Sequence, residues 1–248
     1  MKKLTYIFLA LIIVACSDDS SDGSSNDGGN NGGDEQSSCP IYLDSNGITI
    51  KACNDANIGD TGVLDGVIYT VIDEAMLRDM VANEEDVTRV VTTFVTNTQG
   101  IFGGATPFNQ DISNWDMSNV TNMIGMFNGA NGATTFNQDI SNWDVSSVTN
   151  MSFMFFENFS LNQPLGDWDV SNVTDMTYMF YGATSFNQPI GDWDVSNVIV
   201  MEAMFADAQA FNQDISSWSV NNVTDCQGFS SGSPLTEENA PNFTNCTP

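Results

Sequence analysis

The sequence predicts an α/β repeat solenoid with a parallel sheet on one face, short helices opposite and a small N-terminal capping module. Three observations carry this. A motif recurs every 25 residues over the second half of the chain. Within each copy the apolar spacing changes from alternate to helical. A non-repeating segment precedes the first copy and would cover its edge.

The tryptophans mark the repeat: Trp115, Trp143, Trp168, Trp193 and Trp218, at steps of 28, 25, 25 and 25 residues. Phe108, Phe136, Leu161, Phe186 and Phe211 keep the same steps. The longer step places three extra residues in the loop after Phe127, around Asn128 to Thr135. A degenerate copy precedes Trp115: Thr93 to Asn97 aligns with Ser-Asn-Val-Thr-Asn, and Ile101-Phe102 with Met-Phe. About six turns result, over residues 90–235.

In one clean copy Trp193 and Val195 alternate, which predicts a short strand with both side chains inward. Met201, Met204 and Phe205 at i, i+3 and i+4 predict one or two helical turns. The threonine before that stretch (Thr121, Thr149, Thr174, Thr224) is placed to cap it. The Trp, Met and Phe columns therefore read as core. The asparagines after each Phe position (Asn109, Asn137, Asn162, Asn187, Asn212) read as an internal ladder that satisfies backbone groups at a bend.

Residues 39–89 read as the capping module. Val63 to Tyr69 predicts a hairpin around Asp65-Gly66, a strong turn signal. Asp73 is placed to cap a helix carrying Met76, Leu77, Met80 and Val81. Residues 236–248 read as a C-terminal cap.

The first residues carry export rather than fold. Lys2 and Lys3 precede an apolar run, Leu4 to Val14, that is too short to span a bilayer. Ile13-Val14-Ala15-Cys16 resembles the lipobox of bacterial lipoproteins, which implies cleavage after residue 15 and lipid on Cys16. Residues 17–38 are Ser, Asp, Asn and Gly with hardly another residue type, a composition that reads as a flexible tether over 16–38. Asp18 and Asp19 resemble acidic signals of surface-exposed lipoproteins. The expected location is the outer membrane, lipid-anchored and facing out, with a periplasm-facing anchor as the alternative.

Loss of Lys2 and Lys3 takes the formal charge from −27 to −29, and Arg89 is the last basic residue. Nucleic acid and anionic headgroups are poor partners, since both need Lys and Arg to displace counterions. Cationic surfaces and metal ions are favoured electrostatically. Apart from Cys16, four cysteines remain (Cys39, Cys53, Cys226, Cys246), and proximity pairs Cys39 with Cys53 and Cys226 with Cys246. No Cys-x-x-Cys pair and no histidine is present, so these cysteines predict no metal site.

The phrases Phe-Asn-Gln-Asp-Ile-Ser-x-Trp-Asp-Val-Ser-x-Val-Thr-x-Met and Met-Phe-x-x-Ala resemble the 25-residue "surface protein" repeat grouped with BspA-like leucine-rich repeats. The resemblance covers about Val90 to Pro234. Ile58 to Leu77 and Ser233 to Asn239 resemble that family's flanking segments. It implies a right-handed leucine-rich-repeat-like solenoid on a cell surface and, loosely, adhesion or partner binding.

An enzyme is not expected. There is no histidine, no Gly-x-Ser-x-Gly and no Gly-rich phosphate loop. The acids recur at a fixed period, as scaffold residues do. Glu157, in Phe156-Glu157-Asn158, is the exception, and reads as loop variation. The expected binding surface is the outward residue of each strand: Asp116, Asp144, Asp169 and Asp194, with Asp167 and Asp192 beside them. Carboxylates about 4.8 Å apart repel by about 0.9 kcal/mol in water. An Asx turn to the following serine, a Ca²⁺ ion or a basic partner would offset this. Calcium is the one cofactor the pattern leaves open, and Asp55 to Asp60 only faintly resembles a calcium loop. The expected functions are surface binding or adhesion through the acidic strand face, then a cation-dependent envelope or matrix protein, then, remotely, an enzyme or accessory acting on polysaccharide.

Overall fold

A computed structural model describes residues 40–102, 107–131 and 135–248. Cys16, the tether and Cys39 lie outside the described residues.

The N-terminal part forms as its sequence signals direct. Strand β1 (Ile41–Leu43) pairs antiparallel with β2 (Ile50–Ala52), and β3 (Thr61–Leu64) with β4 (Val67–Val71). Asp65 and Gly66 both take positive φ, 51° and 78°, as the tight turn between β3 and β4 requires. Helix α1 (Glu74–Ala82) starts at Asp73, whose carboxylate accepts the Met76 N–H at 2.8 Å. α1 buries Leu77 and Val81, with Met76 and Met80 half-buried beside them. β4 then pairs in parallel with β5 (Val90–Val91), at the start of the first copy. Ile50 donates to the Asn114 carbonyl at 3.0 Å and Ala52 to the Thr93 hydroxyl at 2.9 Å.

The predicted helix-flanked, parallel-sheet leucine-rich-repeat solenoid does not form. Among the described residues β5 is the last strand, and α1 the one α-helix. Beyond β5, parallel pairing between copies is reduced to isolated bridges: Asn97 to Asn122, then Asn150, Asp175, Val200 and Asp225. These bridges lie just before the Met position, not at Trp-Asp-Val.

Side chains explain the missing strands. At Trp-Asp-Val-Ser the aspartate captures the N–H of the serine two residues on, which withdraws a donor from any ladder. The tryptophan N–H itself closes a turn, Trp193 to the Ile190 carbonyl at 3.2 Å. In three copies the asparagine or aspartate before the methionine does likewise: Asn122 accepts from Ile124, Asn150 from Ser152 and Asp175 from Thr177. That residue, not the preceding threonine, makes the cap-like contact. The threonine hydroxyls donate to the preceding copy instead, Thr174 to Thr149 at 3.2 Å.

The predicted short helices are replaced by consecutive β-turns. Their apolar residues keep the i, i+3, i+4 spacing, since a run of turns also returns those positions inward. The third residue of each stretch is left-handed: Gly100, Gly125, Phe153, Tyr178, Ala203 and Gly228 have φ from 48° to 65°. A helix cannot pass through such a residue. The alternate N–H groups freed by it donate to the next copy, Gly125 to Ser152, Phe127 to Met154 and Phe155 to Met179.

The interior is continuous through the copies. Phe127, Phe155, Phe180 and Phe205 stack with centroids 5.4 to 5.6 Å apart. Each such pair adds about 0.5–1.5 kcal/mol beyond its burial. Every tryptophan sends its indole N–H to a carbonyl of the preceding copy: Trp143 to Ile112, Trp168 to Ile140, Trp193 to Leu165 and Trp218 to Ile190, at 2.8 to 3.1 Å. Trp115, with no full copy before it, reaches the Val87 carbonyl at 3.0 Å. At the other end Cys226 occupies the methionine position and is disulfide-bonded to Cys246, 20 residues on. Leu235, Phe243 and Cys246 pack on the last turn.

Candidate functional site

The aspartate column is built from the turn that replaces the strand. Asp144, Asp169 and Asp194 are exposed, and each Oδ1 accepts the N–H of Ser146, Ser171 or Ser196 at 3.0 to 3.1 Å. Ser146 adds its hydroxyl at 2.6 Å. For Asp194 the Ser196 hydroxyl, then the Ser196 N–H, hold the carboxyl below its usual range. Asp167 and Asp192 are exposed beside them.

Asp116 stands apart, at 2 % exposed. Its oxygens accept from the Thr93 hydroxyl at 2.6 Å and from the Ser118 N–H and hydroxyl at 3.1 and 2.6 Å. The first copy thus spends this carboxylate on holding Thr93, so the open column runs through Asp144, Asp169 and Asp194.

The asparagine column forms a ladder between copies. Asn137 donates its N–H to the Asn109 side chain at 3.0 Å, Asn162 to Asn137, Asn187 to Asn162 and Asn212 to Asn187. Asn137, Asn162, Asn187 and Asn212 meet one another at the surface rather than inside. Asp60 accepts the Asn57 N–H at 2.7 Å, so the faint calcium loop closes on itself. Among the described residues no three acids, cysteines or histidines gather closely enough to hold one metal ion. Cys53 donates its N–H to the Pro40 carbonyl at the foot of the β1–β2 pair; its expected partner Cys39 is outside the described residues.

A second feature is absent from the sequence reading. On the β-turn side of two middle copies, Phe153 stacks on Tyr178 at 5.1 Å and Phe156 on Tyr181 at 4.9 Å, with planes within 9°. The two pairs touch, Tyr178 lying 5.6 Å from Tyr181. All four rings are half-buried. Other described copies place Gly100, Gly125, Ala203 and Gly228 in the Phe153 slot. Carboxylates border the rings. The Tyr178 hydroxyl donates to Glu202 at 3.0 Å, and this bond raises its pKa. The charge of Asp207, then burial, then a hydrogen bond to Asp207 and the charge of Glu157 raise that of Tyr181.

The Glu157 column reads Gly129, Glu157, Gly182, Asp207, Gly232, acids alternating with glycine. A Cβ on Gly182 would lie 3.4 Å from the Glu157 side chain, so Glu157 leans over the bare backbone of the next copy. Glu157 and Asp207 hold φ of 52° and 54°, as Phe153 and Tyr178 hold 58° and 55°. Each costs about 1–2 kcal/mol relative to glycine. The run Phe153 to Phe156 is a trace of this cluster along the chain, and Tyr178 and Tyr181 come from the next copy.

A shallow groove crosses Asn172, Thr174, Asn197, Ile199, Asn222 and Thr224. The Asn172, Asn197 and Asn222 amides donate to Ser146, Ser171 and Ser196 carbonyls at 2.7 to 2.8 Å, so its polar wall is engaged in stacking the copies.

The sequence pattern described as "Mycoplasma protein of unknown function, DUF285" matches residues 73–169 and again 131–243. The overlapping matches are what a tandemly repeated sequence permits. No curated protein and no solved structure matches the chain. With residues 73 through 243 covered, the chain belongs to the family described as Mycoplasma protein of unknown function, DUF285.

Proposed function

We propose that the chain is a lipid-anchored, non-catalytic binding module of the cell surface that recognises a positively charged protein partner. The observation that carries this is the exposed run of Asp144, Asp169 and Asp194, flanked by Asp167 and Asp192, in a region with no basic residue after Arg89. Local bonds to serine fix the carboxylates in place without covering them. Fixed charges of one sign raise the local concentration of an opposite partner and its association rate. Surface display is supported by the Ala15-Cys16 lipobox and by the likeness of the copies to the "surface protein" repeat of BspA-like proteins.

Two substitutions test the reading. Cys16→Ser should release the protein from the membrane fraction, and retention there would remove the lipid anchor from the reading. Asp144→Asn with Asp169→Asn and Asp194→Asn keeps an oxygen that accepts the serine N–H. The triple variant should lose attachment of whole cells to a cationic surface while its melting temperature holds. Attachment unchanged by the triple substitution would refute the column as interface.

A further inference from the structure

We infer that the aromatic cluster of Phe153, Phe156, Tyr178 and Tyr181, with Glu157, Glu202 and Asp207 at its rim, is a second docking surface that takes arginine or lysine side chains of a basic polypeptide. It lies on the β-turn side of the copies and stands independently of the aspartate column.

The cluster breaks the repeat at positions with a disfavoured backbone. The slots of Phe153 and Tyr178 are left-handed in every copy, and glycine fills three of the other four described ones. Aromatic side chains there take up a disfavoured backbone and remain half in water. The interior aromatic columns, by contrast, are fully buried. Residues held in the left-handed region cluster at ligand clamps and functional sites, and aromatic rings are enriched at interfaces.

The geometry selects the occupant. One face of each ring lies against its partner, at 5.1 and 4.9 Å. An arginine or lysine stem needs only apolar edge area, with a carboxylate within reach of its head. Glu202 beside Tyr178, and Asp207 and Glu157 beside Tyr181, supply those carboxylates. Among the described residues Lys51 pairs with Asp44 and Arg78 with Glu74, and neither ion pair involves Glu157, Glu202 or Asp207.

The test uses the full chain and a fluorescent Arg-Gly repeat peptide, with a Gln-Gly peptide and a soluble neutral glucan as comparison probes, at physiological salt. Tyr178→Ala with Tyr181→Ala should weaken the arginine peptide at least tenfold, as should Glu157→Gln with Asp207→Asn, which leaves the rings intact. Tyr178→Phe with Tyr181→Phe should keep most of the affinity, because the edges remain. The Asp144, Asp169 and Asp194 triple variant should retain the difference between ring-bearing and ring-deleted proteins, which separates failure here from failure of the aspartate column. A loss under tenfold in both the ring and the acid double variants overturns the inference. So does binding of the glucan or the Gln-Gly peptide as tightly as the arginine peptide.

Discussion

Gly125→Ala distinguishes the turns of this fold from the helix that the apolar spacing predicts, because the two give opposite signs. In a helix, alanine is favoured over glycine by about 0.8–1 kcal/mol. Here Gly125 has φ of 58°, and a Cβ would meet nothing closer than Asn128 Cβ at 3.7 Å, an ordinary contact. Space is therefore not the obstacle, and the cost is the backbone alone. A left-handed alanine costs about 1–2 kcal/mol. Stiffening of the unfolded chain returns about 0.4–1 kcal/mol. The net is a destabilisation of about 1 kcal/mol, against a stabilisation of similar size for a helix. Gly228, with φ of 65° and nothing within 3.9 Å of its Cβ, repeats the experiment in the last copy. Urea unfolding followed by tryptophan fluorescence reads the outcome. Both variants should unfold at lower urea than the parent. A midpoint moved to higher urea in either would refute the turn assignment.

Other outcomes follow from single contacts. Reducing the Cys226–Cys246 bond opens a 20-residue loop and should cost about 3 kcal/mol, seen as faster proteolysis of the tail after Leu235; equal cleavage with and without reductant would show that Phe243 and Leu235 hold the tail alone. Trp168→Phe strips the Ile140 carbonyl of its buried donor and should cost about 1–3 kcal/mol in thermal melts, whereas a neutral change would mean that the carbonyl finds another partner. Asp86 accepts the Thr88 hydroxyl and N–H, and these bonds hold its carboxyl below the ordinary 3.8. Its share of stability is therefore present above that value and lost as pH falls through the folded pKa. Asp86→Asn keeps an acceptor and should show a shallower decline of melting temperature below pH 4; an unchanged slope would remove Asp86 from the acid response.

The N-terminal hairpin and α1 were legible because each announces itself locally: Asp65-Gly66 allows one tight turn, and Asp73 caps three residues ahead. The interior was legible too, since the Trp, Met and Phe columns are buried throughout the copies. What fills the space between them was not. Trp193 and Val195 alternate as a strand would, but Asp194 binds the Ser196 N–H that a strand would have given to a neighbour. Met201, Met204 and Phe205 keep helical spacing, but Ala203 at φ 48° breaks the helix, and nothing in an alanine foretells a left-handed backbone. The acid column was partly legible: Asp144, Asp169 and Asp194 are exposed, while burial of Asp116 depends on Thr93 of a degenerate copy. The aromatic cluster was hidden because its rings come together only when copies 25 residues apart stack.

The indole bonds give the array a direction. Every copy needs a carbonyl behind it and supplies one ahead, so a copy can be added or deleted without leaving a donor stranded. The chain already shows the tolerance: the step to Trp143 is 28 residues rather than 25, yet Trp143 still reaches Ile112 at 3.1 Å. Only Val87, which starts the series, and the tail fastened by Cys246, which ends it, are irreplaceable by another copy. Length in this protein is thus a variable that inheritance can change in steps of one copy, lengthening or shortening the acidic surface while both ends stay as they are.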